Sequence, residues 1–302
     1  MAGSTMVGIW GGAHSGKTTF LAALRHATLQ DTTGRWKIVG KDDDFPGSSA
    51  FMATVTTQLR DGEFPGATGA QQEYGFIVSG VPTRSPLDFL RDKVGSPREQ
   101  SFVLRFLDVP GRDFSHSPKG DRLWQYLADC QGLIYLFDPA LEQQKEKNFD
   151  YVQRAADYVY QLVDAAGKLV KQHLPHFLAV CVAKYDEPQT FDKLRQAGLI
   201  TWNTPDGAPD VINPQAALLA LEGKDKLTVP TIKSFFLPGR TRYFTVSSVG
   251  FYRGEGGRVS HQDCYNVVDT QDGPRIRGVV APVNVFAPLM WLEEQIRRTF
   301  VP

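Results

Sequence analysis

The chain alternates short, continuous apolar runs with longer stretches of helical spacing. Met6-Val7-Gly8-Ile9-Trp10 is the first run and reads as a strand. Behind it Phe20, Leu21, Leu24 and Ala27 recur in steps of three and four, the mark of a helix with one buried face. Residues 73–79 and 101–108 predict two neighbouring strands, joined by an extended loop that contains Pro82, Pro86, Gly95 and Pro97. A short helix at 121–129 leads into the apolar strand Leu133-Ile134-Tyr135-Leu136-Phe137, which ends at Asp138. Phe149, Val152, Ala156, Val159, Val163, Ala166 and Val170 then form one stripe along about six helical turns. That stripe suits packing on a sheet, with a coiled-coil partner as the alternative. Residues 177–183 and 243–247 are further strands, and a last helix carries Val285, Leu289, Leu292 and Ile296. Pro288 fits only its first turn, while Arg297 and Arg298 suit its negative end.

Strands alternating with helices predict an α/β fold, a mostly parallel sheet with helices on both faces. Three stretches interrupt the alternation and read as insertions into a single domain spanning 1–302. The first, at about 30–66, is polar, with the acidic triplet Asp42-Asp43-Asp44 and a helical patch at 49–60. The second, at 188–237, holds helical segments broken by Gly and Pro, notably 214–221. The third, at 251–282, is Gly-rich and predicts a hairpin or ordered loop.

With 302 residues, 42% of them hydrophobic, the chain is long enough to bury a full core without covalent staples. Lys plus Arg equal Asp plus Glu at 33 each, so no net charge draws it to nucleic acid or to an acidic membrane. Cys130, Cys181 and Cys264 are far apart and odd in number, which argues for reduced thiols in a cytoplasm. No apolar stretch is long enough to span a bilayer, and the first residues lack a signal-peptide pattern.

The chemistry is concentrated after the first strand. Gly11-Gly12-Ala13-His14-Ser15-Gly16-Lys17-Thr18 fills the phosphate-loop pattern G-x-x-x-x-G-K-[ST] between strand and helix, with Thr19 next. Such glycines let backbone N–H groups turn toward an anion, the helix adds the positive end of its dipole, and Lys17 brings a point charge. Thr18 offers a hydroxyl to Mg2+. Further on, Asp108-Val109-Pro110-Gly111 ends a strand as D-x-x-G, with a carboxylate to order the water shell of Mg2+ and a glycine N–H for a γ-phosphate. Ala183-Lys184-Tyr185-Asp186 ends another as K-x-D: the Lys stem would lie over a purine and the carboxylate would accept from guanine's N1 and exocyclic amine. Adenine has no such donor pair. Ser247-Ser248-Val249 follows the last strand, where backbone amides would meet guanine O6.

In this order the motifs resemble the TRAFAC (Ras-like) class of P-loop GTPases, and the closing segment 282–292 resembles bacterial double-GTPase or conflict-system proteins. The resemblance implies a Ras-like G domain that binds GTP or GDP with Mg2+ and hydrolyses GTP as a switch read by an effector or activating protein. It also asks for a threonine before the second of these strands that binds Mg2+ and meets the γ-phosphate; Thr68 has the spacing, and Thr54, Thr56 and Thr57, in a helical patch, compete with it. The family's catalytic roles fall on Lys17, Thr68, Gly111 and Arg112, and its metal roles on Thr18, Thr68 and, through water, Asp108. Two positions depart from the pattern. Ala183 stands where the family has Asn or Thr to tie the base loop to the phosphate loop, and Arg112 stands where many members have the water-orienting Gln. The second departure predicts slow hydrolysis, with Asp113 and His116 near enough in sequence to polarise water. Alternatives are a GTP-binding interaction module with little turnover and an ATP-using P-loop enzyme.

Overall fold

The computed structural model describes residues 5–31, 35–66, 71–80, 100–108, 122–145, 147–202, 204, 207–271 and 273–300. In chain order the strands are β1 (Met6–Gly11), β2 (Trp36–Gly40), β3 (Gln72–Gly80), β4 (Gln100–Asp108), β5 (Gly132–Phe137), β6 (Phe177–Val182), β7 (Ile200–Thr201), β8 (Asp210–Val211), β9 (Thr241–Thr245), β10 (Val267–Thr270) and β11 (Gly273–Ile276). The helices are α1 (Lys17–Gln30), α2 (Ser48–Arg60), α3 (Arg122–Asp129), α4 (Asn148–Ala165), α5 (Pro188–Gln196), α6 (Pro214–Leu221), α7 (Thr228–Phe235) and α8 (Ala287–Phe300).

Seven strands form one sheet in the order β2-β3-β4-β1-β5-β6-β9. From β4 to β9 every pairing is parallel, while β2 and β3 run antiparallel at one side. Parallel strands must be covered on both faces, and β5 and β6 are buried at every position. Alternate residues of β1, β5 and β6 feed two separate cores. Trp10, Tyr135, Leu178 and Val180 pack with α3 to α7 on one face. Ile9, Ile134, Ala179 and Cys181 pack with α1, α2 and α8 on the other. The architecture is the expected α/β one.

Two details differ from the sequence reading. The polar stretch after α1 contains β2, in which only Ile38 is buried, so an edge strand there lacks the alternation that announces strands. α4 stops at Ala165 instead of reaching Val170. Gly167 takes the left-handed φ of 66°, and its N–H and that of Lys168 return to the carbonyls of Asp164 and Val163, a glycine-terminated helix end. Val170 instead pairs with His173 in an isolated bridge. Val152, Val159 and Val163 of the α4 stripe are buried in the core on that face of the sheet. In the third insertion β10 and β11 form an antiparallel hairpin. All three cysteines are buried and free of disulfides. Among the described residues no helix is long and apolar enough to cross a membrane.

Candidate functional site

β1 ends at Gly11 and α1 begins at Lys17, so the phosphate-loop motif is the turn between them. Its glycines answer to crowding. A Cβ on Gly11 would lie 2.8 Å from the carbonyl oxygen of Leu136, and one on Gly12 would lie 2.5 Å from Leu141 Cδ1. Gly16 caps the helix at φ 83° and His14, exposed, sits at φ 59°. The start of a helix is where backbone N–H groups lack intrahelical carbonyl partners, which is what suits it to an anion. Lys17 is 7% exposed, and its Nζ donates to the carbonyls of Gly11 (3.1 Å) and Gly12 (2.9 Å). Burial lowers its pKa to about 8, against the opposing charges of Asp108 and Asp138. The Ser15 hydroxyl is buried with no hydrogen-bond partner among the described residues.

The other end of the site is built where β6 stops. Ala183 N donates to Phe137 O, and Lys184 then turns into the left-handed region at φ 54°. The turn sends its side chain back across the sheet end, where Nζ meets Asp138 Oδ2 at 2.9 Å and Glu187 Oε1 at 3.9 Å. Its Cε is 3.7 Å from where Gly16 would carry a Cβ, so the Lys184 stem lies over the phosphate loop. Asp186 is 5% exposed. Burial pushes its pKa up to about 6, opposed by a hydrogen bond from the Ser247 hydroxyl, its own backbone N–H and the charge of Lys184. Burial likewise raises Glu187 to about 7.

Both ends open into one cavity of about 380 Å³. Ala13, His14, Ser15, Gly16, Lys17, Thr18 and Thr19 line it from the phosphate loop, and Asp108 from the end of β4. Lys184, Asp186, Ser248 and Val249 line it from the opposite strands. Gly11 and Gly12 sit beneath, as the acceptors of Lys17. Thr68, Gly111, Arg112, Asp113 and His116 lie outside the described residues.

Ser247 departs from its expected role. Its amide donates to Val283 O and so cannot serve a base, and its hydroxyl joins Asp186 to the amide of Gly250 at 2.7 Å. The hydroxyl thus sits between the Asp186 carboxylate and the Gly250 amide. Sequence reasoning also missed Asp138, read only as a strand end, and Glu187. It missed the cavity wall of Phe64, Pro65, Gly66, Val267 and Pro274 as well. Only the strand-ending position of Asp138, matching those of Asp108 and the K-x-D turn, was a visible signal.

Thr18 and Asp108 bring a hydroxyl and a carboxylate to the same cavity, an all-oxygen set suited to Mg2+. No cluster of three or more His, Cys, Asp or Glu that could hold a metal occurs among the described residues.

No protein-family model matches the sequence, and no curated protein does either. Among solved structures, the chain is similar to the signal recognition particle receptor SRb-GTP/SRX complex from Chaetomium thermophilum. The identity is 14%, over 85% of this chain and 95% of that one, with a TM-score of 0.40. It is also similar to the GTPase-like domain of S. cerevisiae Ski7 bound to GTP, at 14% identity over 96% of this chain and 50% of that one, with a TM-score of 0.44. The chain thus spans half the length of the Ski7 chain, and likeness of this degree identifies no function.

Proposed function

We propose that the chain binds GTP with Mg2+, hydrolyses it slowly to GDP and phosphate, and signals the difference to an effector or activating protein. One observation carries the reading: a single cavity is lined both by the phosphate loop with buried Lys17 and by buried Asp186. A desolvated ammonium gains strongly from phosphate oxygens. A desolvated carboxylate with its own donor Ser247 gains from the paired N1 and amine donors of guanine, which adenine lacks. Thr18, Thr68 and, through water, Asp108 are the Mg2+ ligands of this reading. Bound there, the cation neutralises charge on the phosphate oxygens. Gly111 supplies the amide for the γ-phosphate, and Arg112, unable to accept a proton from water, keeps turnover slow.

The motif order supports a TRAFAC-class, Ras-like G domain with insertions, and the closing segment 282–292 supports the bacterial double-GTPase or conflict-system kind. Buried, unbridged cysteines support a cytoplasmic setting. The test is the mass of the nucleotide that copurifies, followed by competition of GDP and ADP for the site with and without Mg2+. Guanylate with strong discrimination against ADP is expected; equal affinity for the two overturns the proposal. Arg112 also favours a second reading, a GTP-loaded interaction module. Absence of phosphate release in single-turnover assays, with cell extract as well as without, would select it.

A further inference from the structure

The cavity has one wall that the phosphate-loop chemistry does not require. Phe64, Pro65 and Gly66 contribute from the stretch after α2, and Val267 and Pro274 from the β10–β11 hairpin. These two pieces, about 200 residues apart, are joined to each other. Ile276 N donates to Gly62 O at 3.0 Å, and Arg275 Nη1 pairs with Glu63 Oε1 at 2.6 Å. Gly62 reaches this contact in a left-handed conformation, φ 82°.

At its root the hairpin is fixed to the base end of the cavity. Asn266, 1% exposed, precedes Val267. Its Nδ2 donates to the carbonyl of Val249 at 3.0 Å and its Oδ1 accepts from Gly278 N at 2.9 Å. Arg277 adds a bidentate pair with Asp263 and lies 3.6 Å from the Tyr252 ring centroid. The hairpin is therefore anchored firmly beside Val249. Its contacts with residues 62–63 include the backbone hydrogen bond from Ile276, which is buried beside α2, and the Arg275–Glu63 ion pair, whose partners are 41% and 50% exposed.

We propose that the hairpin is a nucleotide-retaining strap, with Val267 and Pro274 covering the bound nucleoside and the Arg275–Glu63 pair holding the cover against residues 62–66. This rests on the guanine-nucleotide reading above and adds a prediction about release. Nucleotide leaves when the weak end of the strap lets go, so weakening that end speeds dissociation without touching a phosphate or base contact. A half-exposed ion pair is worth at most about a few-fold in an equilibrium, and turning it into a like-charge pair about doubles the effect in free energy, to roughly tenfold.

The experiment follows release of radiolabelled GDP from the full chain after a chase with excess unlabelled GDP. Glu63→Arg and Arg275→Glu should each speed release about tenfold, and the double swap should return it to within about twofold of the original. High salt should speed release from the unmodified chain and leave Glu63→Ala nearly unaffected. Thermal melting of each variant checks that the fold persists, and the swap, which keeps every charge, remains decisive if a single variant melts early. Equal release rates in all variants would overturn the strap while leaving guanine binding intact. Failure of the unmodified chain to bind GDP would remove the underlying reading and the strap with it.

Discussion

Lys184 Nζ meets Asp138 Oδ2 at 2.9 Å, joining the ends of the adjacent parallel strands β6 and β5. The methyl group of the adjacent Ala183 can form no such link. Asp138 is itself held firmly: its N–H donates to Asn148 Oδ1, Asn148 Nδ2 donates to its carbonyl, and its Oδ1 caps Ala140 N. The Lys184 stem then passes over Gly16. Asp138→Asn should therefore weaken GDP binding by about tenfold, or 1.4 kcal/mol, with little change in melting temperature. Lys184→Met should do both kinds of damage, because it strips a partner from a carboxylate whose side chain is 2% exposed. A loss of about 2 to 3 kcal/mol in denaturant unfolding is expected. Titrated GDP affinity and urea unfolding of the two variants separate the effects.

Affinity for guanine nucleotide should be greatest between about pH 6 and pH 8. Burial holds Asp186 at about 6, so below that pH it takes a proton and no longer accepts from both donors of guanine. Lys17, lowered to about 8 by burial, loses its charge above that pH and with it the attraction for phosphate. The same groups act on the stability of the nucleotide-free chain in the opposite sense. A carboxyl raised above its usual 3.8 binds its proton more tightly folded than unfolded, so it lowers stability as pH rises from about 4 to 6. Raising that carboxyl from 3.8 to about 6 costs the fold about 3 kcal/mol once it is ionised. A lysine lowered from 10.5 burdens the fold below pH 8 and ceases to do so as pH rises toward 10.5. Asp186→Asn should thus remove guanine discrimination and yet raise the melting temperature of the empty protein at pH 7. A GDP affinity series from pH 5 to 9, with melting curves for both forms, tests the pair of signs.

The parts of this molecule that were readable in one dimension are those whose signal is local. β1, β5 and β6 are continuous apolar runs because parallel strands are buried on both faces, and the phosphate loop is eight consecutive residues. β2 escaped notice because an edge strand with one buried side chain has no period to detect. The end of α4 was overrun because the apolar stripe continues past Gly167, and a stripe does not record where the backbone turns left-handed. At the site the difficulty was distance along the chain. The pairing of the Ser247 amide with Val283, on a segment that returns after the hairpin, has no counterpart in the local sequence around residues 247–249. The wall built by Val267 and Pro274 has no motif at all, because their role comes only from the bonds between Asn266 and Val249 and between Ile276 and Gly62.

Gly250 closes the base loop and tolerates no side chain. Its φ is 71°, and a Cβ there would come within 1.9 Å of the Ala281 carbonyl oxygen, which is backbone and cannot rotate aside. That carbonyl belongs to the residue whose N–H donates to Val249 O, and Gly250 N itself donates to the Ser247 hydroxyl that supports Asp186. Gly250→Ala must therefore push residues 247–250 away from residues 281–283 and loosen Asp186 in the same movement. The left-handed φ alone costs about 1 to 2 kcal/mol for a residue with a Cβ, and the displaced carbonyl adds to it. Ser247→Ala removes the hydroxyl from the same chain of bonds without any clash. It should cost about 1 to 3 kcal/mol of stability, because the buried Gly250 N–H and Asp186 each lose a partner, and weaken GDP binding by a factor of about ten, through an Asp186 that takes up a proton at higher pH. Gly250→Ala should lower both melting temperature and affinity. Equal affinities in the original chain and the two variants would show that the loop does not hold Asp186 for a ligand.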